Sequence, residues 1–228
     1  MRIVVLTGAG ISAESGLRTF RDEGGLWEGH DVRDVATPEA FARDPDLVQR
    51  FYDARRRQLR EVVPNAAHLA LARLEDEGDH DVLLVTQNVD DLHERAGSRK
   101  VLHMHGELLK ARCLGCGERV PWHDDLVHRP PCPRCGRPSL RPDVVWFGEV
   151  THHLDEIQDA LWESDVFAAI GTSGLVYPAA GFVRTAAAAG ARTVEMNLGA
   201  SAVASAFDEV REGPATVTVP AWVDELLG

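Results

Sequence analysis

Four cysteines, two closely spaced histidines, a glycine-rich turn and a Tyr-x-x-Arg pair are the parts of this chain best equipped for chemistry. The cysteines form two pairs, Cys113-x-x-Cys116 and Cys132-x-x-Cys135, with fifteen residues between them. Two such pairs at this spacing make a four-thiolate metal site. Gly115, Gly117 and Gly136 allow the turns that let the thiolates converge. Four soft ligands fill a tetrahedron and leave no position for water, so zinc there is expected to be structural and not a Lewis acid. A pair of redox Cys-x-x-Cys motifs or an iron–sulfur cluster are the alternatives, which metal content and colour separate. His123 and His128 lie between the cysteine pairs but have no ligand position left to fill, and are read as surface residues.

Gly8-x-Gly10-x-x-Ala13 follows an apolar run and opens a helical pattern. In a phosphate-binding turn Gly8 would permit the tight bend, Gly10 would let the backbone approach a pyrophosphate, and Ala13 would allow close packing. A purely structural turn would use the same glycines. The acidic residue that dehydrogenases carry on a second strand about 20 residues further on is missing, because no strand precedes the loop around Trp27 to Asp34. Phosphate binding without hydride transfer is the expectation. Gly171-Thr172-Ser173 after another apolar strand, and Asn197 after the next, occupy strand ends where open sheets place their binding crevice. Each also has a plain reading as a turn or capping residue.

His103 and His105 lie two apart in a strand-like run, so both are expected on one face. A histidine titrates near working pH and suits proton transfer, but spacing does not separate the two, and either could be a satisfied buried imidazole. Tyr52 and Arg55 are three apart in a helical stretch and share a face. An amphipathic helix showing Arg to solvent has the same pattern.

The elements that must position these groups alternate between strand and helix. Strands are expected over residues 2–7, 82–85, 101–105, 166–170 and 193–196, with the stretch 215–219 closing the sheet region. Helices are expected from Ser12, which would cap the first of them, from Thr37-Pro38, over 45–60, from Pro64 to Gly78, over 90–95, 154–163 and 178–189. The fold class is therefore α/β: a Rossmann-like, mostly parallel sheet with helices on both faces, a small zinc-binding module and a helical insertion. The expected division is a discontinuous Rossmann-like domain (1–27, 81–106 and 143–228), a helical insertion (28–80) and a zinc module (107–142).

Composition narrows the partners. The 228 residues carry a formal net charge of -12, which disfavours direct nucleic-acid binding. Arg55-Arg56-Arg57 is the one basic run, and a solvated helix face explains it. No stretch reaches the ~20 apolar residues that span a bilayer, and the short N-terminal run does not resemble a signal peptide. A cytoplasmic monomer without membrane contact is expected.

Taken together, the motifs resemble one family. Gly8-Ala9-Gly10-Ile11-Ser12-Ala13-Glu14-Ser15-Gly16 with Thr19-Phe20-Arg21, then Gln87-Asn88-Val89-Asp90, His103-Met104-His105-Gly106, the four cysteines, Gly171-Thr172-Ser173 and Asn197 resemble the sirtuins in type and order. The resemblance covers almost the whole chain and is strongest to the bacterial CobB-type deacylases, in the branch containing the mitochondrial desuccinylase. Leu17-Arg18 departs from the usual Pro-containing form of the opening motif.

The resemblance implies an NAD-dependent protein-lysine deacylase that removes acetyl, succinyl or malonyl groups and yields nicotinamide, O-acyl-ADP-ribose and free lysine. By position, Gly8, Ala9, Gly10, Phe20, Arg21, Gln87, Asn88, Asp90, Gly171, Thr172, Ser173, Asn197 and Ala215 match residues that contact NAD. His105 matches the catalytic base, with Asn88 and Asp90 orienting ribose and water. Val145, Phe147, Gly148, Glu149 and Gly174 match the segments that clamp an acyl-lysine peptide between them. Tyr52 and Arg55 match a pair that meets an acyl carboxylate, and Ala36 a small residue that leaves room for it. A mono-ADP-ribosyltransferase and a non-catalytic NAD-sensing module are the alternatives; Asn88, Asp90 and His105 together argue against the second.

Overall fold

The computed structural model describes residues 1–17, 26–27 and 29–228, with the backbone alone at 26 and 27. The chain enters through β1 (Arg2–Thr7), turns at once into α1 (Ala9–Ala13), and passes a small antiparallel pair, β2 (Leu26–Trp27) and β3 (His30–Asp31). A helical stretch follows: α2 (Val32–Val35), α3 (Pro38–Arg43), α4 (Pro45–Gln58) and α5 (Ala66–Glu77). Then come β4 (Asp81–Thr86), α6 (Leu92–Ala96) and β5 (Val101–His103). A three-stranded antiparallel unit is built from β6 (Gly106–Cys113), β7 (Arg119–Pro121) and β8 (Leu140–Val144), with β6 in the middle. The chain ends with α7 (Leu154–Trp162), β9 (Val166–Ile170), α8 (Phe182–Ala188), β10 (Arg192–Asn197), β11 (Glu209–Glu212) and α9 (Ala215–Leu227).

The central sheet runs β11-β10-β9-β1-β4-β5, and every neighbouring pair is parallel. Side chains alternate across a strand, and β1 shows why its sequence is apolar without interruption. Ile3 and Val5 enter a core with α5 and α9, whereas Val4 and Leu6 enter a second core with α7 and α8. Each such side chain fully buried contributes about 1.5–3 kcal/mol, so both layers hold the sheet. The expected α/β architecture is what the chain adopts. Among the described residues no helix is long and apolar enough to cross a membrane.

Local expectations are revised at several points. Helix α1 starts at Ala9, and no side chain caps it at Gly8. Ser12 is therefore an interior helical residue, its hydroxyl drawn to Asp90 at 3.0 Å. The stretch 215–219 is the first part of α9, not sheet; Val219, Trp222 and Val223 recur at helical spacing and bury against the core that α5 shares. Its β-branched residues suggested a strand, but packing overrides that weak preference. Helix α5 falls inside the stretch expected as an insertion, yet Ala67, Leu71 and Leu74 belong to the sheet's core. Strand β5 stops at His103, so His103 and His105 do not share a strand face.

Two loops meet at the carboxyl ends of β1 and β9, where the direction of strand order reverses. Gly8 N–H donates to the Ile170 carbonyl (3.0 Å) and Gly10 N–H to the Gly171 carbonyl (2.9 Å). A Cβ on Gly10 would lie 2.6 Å from the Gly171 α-carbon, and one on Gly8 would lie 2.8 Å from the Gly171 oxygen. Gly171 itself sits at φ +63°, in the left-handed region. The glycines thus serve backbone-to-backbone closure of two loops. Gly171→Ala should destabilise the fold by about 1–3 kcal/mol through left-handed strain and the clash with α1. A urea midpoint equal to that of the parent chain would contradict this packing.

Candidate active site

The two loops form the floor of a cleft of about 810 Å³. Gly8, Ala9, Gly10, Gly171, Thr172 and Ser173 line one part of it; Gln87, Asn88, Asp90 and His105 line another. Asn197, at the end of β10, also reaches the cleft and donates its side-chain N–H to the Thr172 carbonyl at 2.5 Å, bracing the β9 loop. Phe20 and Arg21 lie outside the described residues. Ala215 does not line the cleft: it opens α9, and its methyl group is buried in the sheet's core.

A buried polar network backs the loop after β4. Asn88 donates to the Gly8 carbonyl (3.1 Å) and to the Ser12 hydroxyl (3.2 Å). Ser12 in turn donates to Asp90, which also accepts from the Leu92 N–H at 3.2 Å. Burial pushes Asp90 up to about 6, although the Leu92 and Ser12 bonds pull in the opposite direction. Asp90 is therefore mostly ionised at neutral pH but titrates close to it. Behind Ser12 lies His68, 3.4 Å away, whose ring is 5.0 Å from that of His93. Burial lowers His68 to about 4 and His93 to about 3, keeping both neutral. Ser12 and His68 escaped sequence reasoning because no local spacing links them; fifty-six residues separate them.

The structure separates the two histidines by chemistry. His103 is buried, with Nε2 at 2.7 Å from Glu94 Oε1 and Nδ1 at 3.3 Å from the Asn88 carbonyl. Acceptors on both nitrogens suit an imidazolium. Burial opposes that charge, but the bond to Glu94 and its negative charge leave His103 raised. His105 sits one turn further on, in the cleft wall, with Nδ1 at 3.0 Å from the Gln87 carbonyl. A carbonyl only accepts, so Nδ1 carries the proton and Nε2 keeps its lone pair. Burial lowers the His105 pKa, and His152 nearby pushes in the same direction. The result is a neutral imidazole available as a base.

Opposite the loops after β1 and β9, α4 and the segment after β8 close the cleft. Tyr52, Arg55 and Ala36 line it, as do Val145, Phe147, Gly148 and Glu149. Tyr52 is fully buried, its hydroxyl accepting from the Trp146 indole N–H at 2.9 Å, and burial raises its pKa so that it stays protonated. The Arg55 guanidinium lies 5.5 Å from the Phe51 ring centroid. Val145 N–H donates to the His105 carbonyl (2.8 Å) and Phe147 N–H to the Ala36 carbonyl (3.0 Å), so this segment is tied to both walls. Gly174 stands behind the wall, where a Cβ would crowd Val203; its neighbours Leu175 and Tyr177 line the cleft instead. Arg56, expected on a solvated face, is 1% exposed and paired with Asp53 at 2.7 Å.

The four cysteine sulfurs lie within 4.8 Å of one another, with Cys113 and Cys135 at 3.6 Å and Cys116 and Cys132 at 3.9 Å. Zinc–sulfur bonds of about 2.3 Å place the corners of a tetrahedron about 3.8 Å apart, so the donor set fits one zinc ion. None of the cysteines lines the cleft. His123 and His128 are both exposed, as expected.

Comparison with known proteins agrees with this geometry. A model of the Sir2 family matches residues 8–178. An NAD-dependent protein deacylase of Escherichia coli (strain K12) is 59% identical over 99% of this chain and 82% of its own. One from Bdellovibrio bacteriovorus is 58% identical over 99% of this chain and 96% of its own. Among solved structures, a Sir2 homolog–NAD complex is 39% identical and superposes with a TM-score of 0.91, covering 100% of this chain and 91% of the other. A Sir2 mutant with a deacetylated p53 peptide and 3′-O-acetyl ADP ribose is 28% identical, with a TM-score of 0.84 over 98% of this chain and 92% of that one. On the family match, these identities and the shared fold, this chain belongs to the Sir2 family.

Proposed function

We infer that this chain is an NAD-dependent protein-lysine deacylase, in which His105 is the base and Asn88 and Asp90 orient the ribose and water. The observation that carries the reading is the convergence of the Gly8–Gly10 turn, Asn88, Asp90 and the His105 imidazole on one cleft. Relatives 58–59% identical that are NAD-dependent protein deacylases support it. NAD supplies an activated ribose carbon to which the acyl oxygen bonds as nicotinamide leaves. His105 Nε2 accepts a proton from a ribose hydroxyl, so that this oxygen attacks the acyl carbon. Ionised Asp90 favours positive charge on the ribose. Water adds to the same carbon and its bond to the lysine nitrogen breaks, the amine taking the proton from His105, so the products are nicotinamide, O-acyl-ADP-ribose and free lysine. A monomer is proposed, and a four-cysteine metal site suits a reducing cytoplasm.

His105→Ala should keep fold and bound zinc while lowering kcat by about 10²–10⁴-fold, as expected for loss of a general base. The assay is NAD-dependent deacylation of matched acetyl-, succinyl- and malonyl-lysine peptides with mass detection of the ADP-ribose ester. Labelled protein appearing in place of that ester would favour ADP-ribosyl transfer instead. The pH profile follows from the same groups. With His105 below the ordinary 6.5 and Asp90 at about 6, kcat/KM should rise through mildly acidic pH and level off by neutrality. A rising limb centred above neutrality would contradict a neutral His105.

The acyl preference is proposed to come from Arg55 and Tyr52, which would meet a succinyl or malonyl carboxylate above the small Ala36 side chain. A charge-assisted bond to a carboxylate is worth about 1.5–3 kcal/mol, so Arg55→Met should lower desuccinylation relative to deacetylation by roughly ten- to hundredfold. Equal losses on both peptides would remove the pocket assignment.

One zinc ion is proposed on Cys113, Cys116, Cys132 and Cys135, as a structural tie. Stripping it with a chelator should unfold β6–β8, with activity lost in step with tertiary structure. Activity lost before any unfolding would point to a metal in the chemistry.

A further inference from the structure

Glu149 sits at the far end of the segment that closes the cleft, and its carboxylate is occupied. Arg141 donates to both oxygens, at 2.9 and 3.0 Å, Arg112 donates at 3.0 Å, and the Trp146 backbone N–H donates at 2.9 Å. Arg141 is 3% exposed and also grips its own strand, donating to the Pro142 carbonyl (3.2 Å) and the Val144 carbonyl (2.6 Å). Its guanidinium carbon lies 3.3 Å from the centroid of the Trp146 ring. One buried cation therefore holds the start of the segment, its middle and its end.

Burying a guanidinium is costly, and such a pair is weak evidence for a role in stability alone. The geometry has a more specific result. Residues 144–149 line the cleft, and Gly148 adopts φ +90°. Val145 N–H is tied to the His105 carbonyl and Phe147 N–H to the Ala36 carbonyl, both on cleft-lining residues. The Arg141–Glu149 fork closes the loop upon itself together with the Glu149 N–H, which donates to the Trp146 carbonyl at 3.0 Å. With four donors already on its carboxylate, Glu149 acts on substrate through the loop and not by direct contact.

We propose that Arg141 and Glu149 are positioning residues for the acyl-lysine peptide, a fork that sets the 145–148 segment in the shape the peptide binds against. The inference rests on the deacylase reading above, and on that segment facing the peptide. Arg is required at position 141 because a planar fork satisfies two carbonyls and a carboxylate together; a lysine ammonium does not.

The test is steady-state kinetics on the zinc-loaded full chain, with acetyl-lysine peptide and NAD varied separately. Glu149→Gln should raise the peptide KM about tenfold or more, with kcat within about threefold and the NAD KM within about twofold, because bonds to a charged acceptor are lost only at the loop. Arg141→Lys should behave like Arg141→Gln, without rescue. Arg112→Gln removes one partly buried donor and should shift the peptide KM in the same direction by a smaller factor. Should Glu149→Gln fail to fold, Arg112→Gln decides. A merely structural role predicts a lower melting temperature and fewer active molecules, with both KM values unmoved. That outcome overturns the inference, as does a parallel rise in the NAD KM. Failure of the deacylase reading is distinct: the parent chain itself would then be inactive on every acyl peptide.

Discussion

Gly10 donates its N–H to the Gly171 carbonyl across a gap that admits no side chain, and the remainder of the site is arranged around that contact. It joins the loop after β1 to the loop after β9 at the reversal point of a parallel sheet, where open α/β sheets form their crevice. Strands buried on both faces hold the two loop bases in register, so the loops inherit the sheet's rigidity. Asn88 reaches the same junction through the Gly8 carbonyl, and Asn197 reaches it through the Thr172 carbonyl. Four strand ends, those of β1, β4, β9 and β10, are thereby coupled by hydrogen bonds to backbone carbonyls, which side-chain substitution elsewhere does not disturb.

Burial acts in opposite senses on the acids and bases beside this junction. It raises Asp90 to about 6 and lowers His68 and His93, because in each case it disfavours the charged form. His103 escapes that trend because Glu94 stands beside it, with Glu107 and the Asn88 carbonyl acting in the same direction. Two histidines in one short motif are therefore shifted in opposite directions. The raised one is held between an acid and a backbone carbonyl, and the lowered one faces the cleft.

The cysteine-bearing unit and the helical stretch contribute shape and not chemistry. Asp53 on α4 accepts the backbone N–H groups of Leu126 and Val127 at 2.9 and 3.0 Å, and Arg56 donates to the Leu108 and Asp124 carbonyls. These bonds dock α4 on the thiolate unit with Tyr52 and Arg55 flanking the pair. The cysteine cluster, α4 and the 145–149 segment are thus mechanically continuous, although no cysteine lines the cleft. Buried pairs of this kind give little net stability but specify one docking geometry.

Much of this protein was legible in its sequence wherever the deciding physics is local. Uninterrupted apolar runs meant strands covered on both faces, Thr37-Pro38 meant a capped helix start, and two Cys-x-x-Cys pairs meant a four-sulfur cluster, since each depends on residues a few positions apart. The motifs resembling the sirtuins then named the cleft residues that the fold gathers. Other assignments waited for the tertiary structure. Ser12 became a link to Asp90 and not a cap, Arg56 turned inward, 215–219 became helix, and the Trp146 indole met a tyrosine ninety-four residues away. His103 and His105 were equivalent by spacing until the end of β5 sent them to different partners. Local periodicity encodes which side of an element is buried. Which distant donor or acceptor waits there is decided only when the topology brings the elements together.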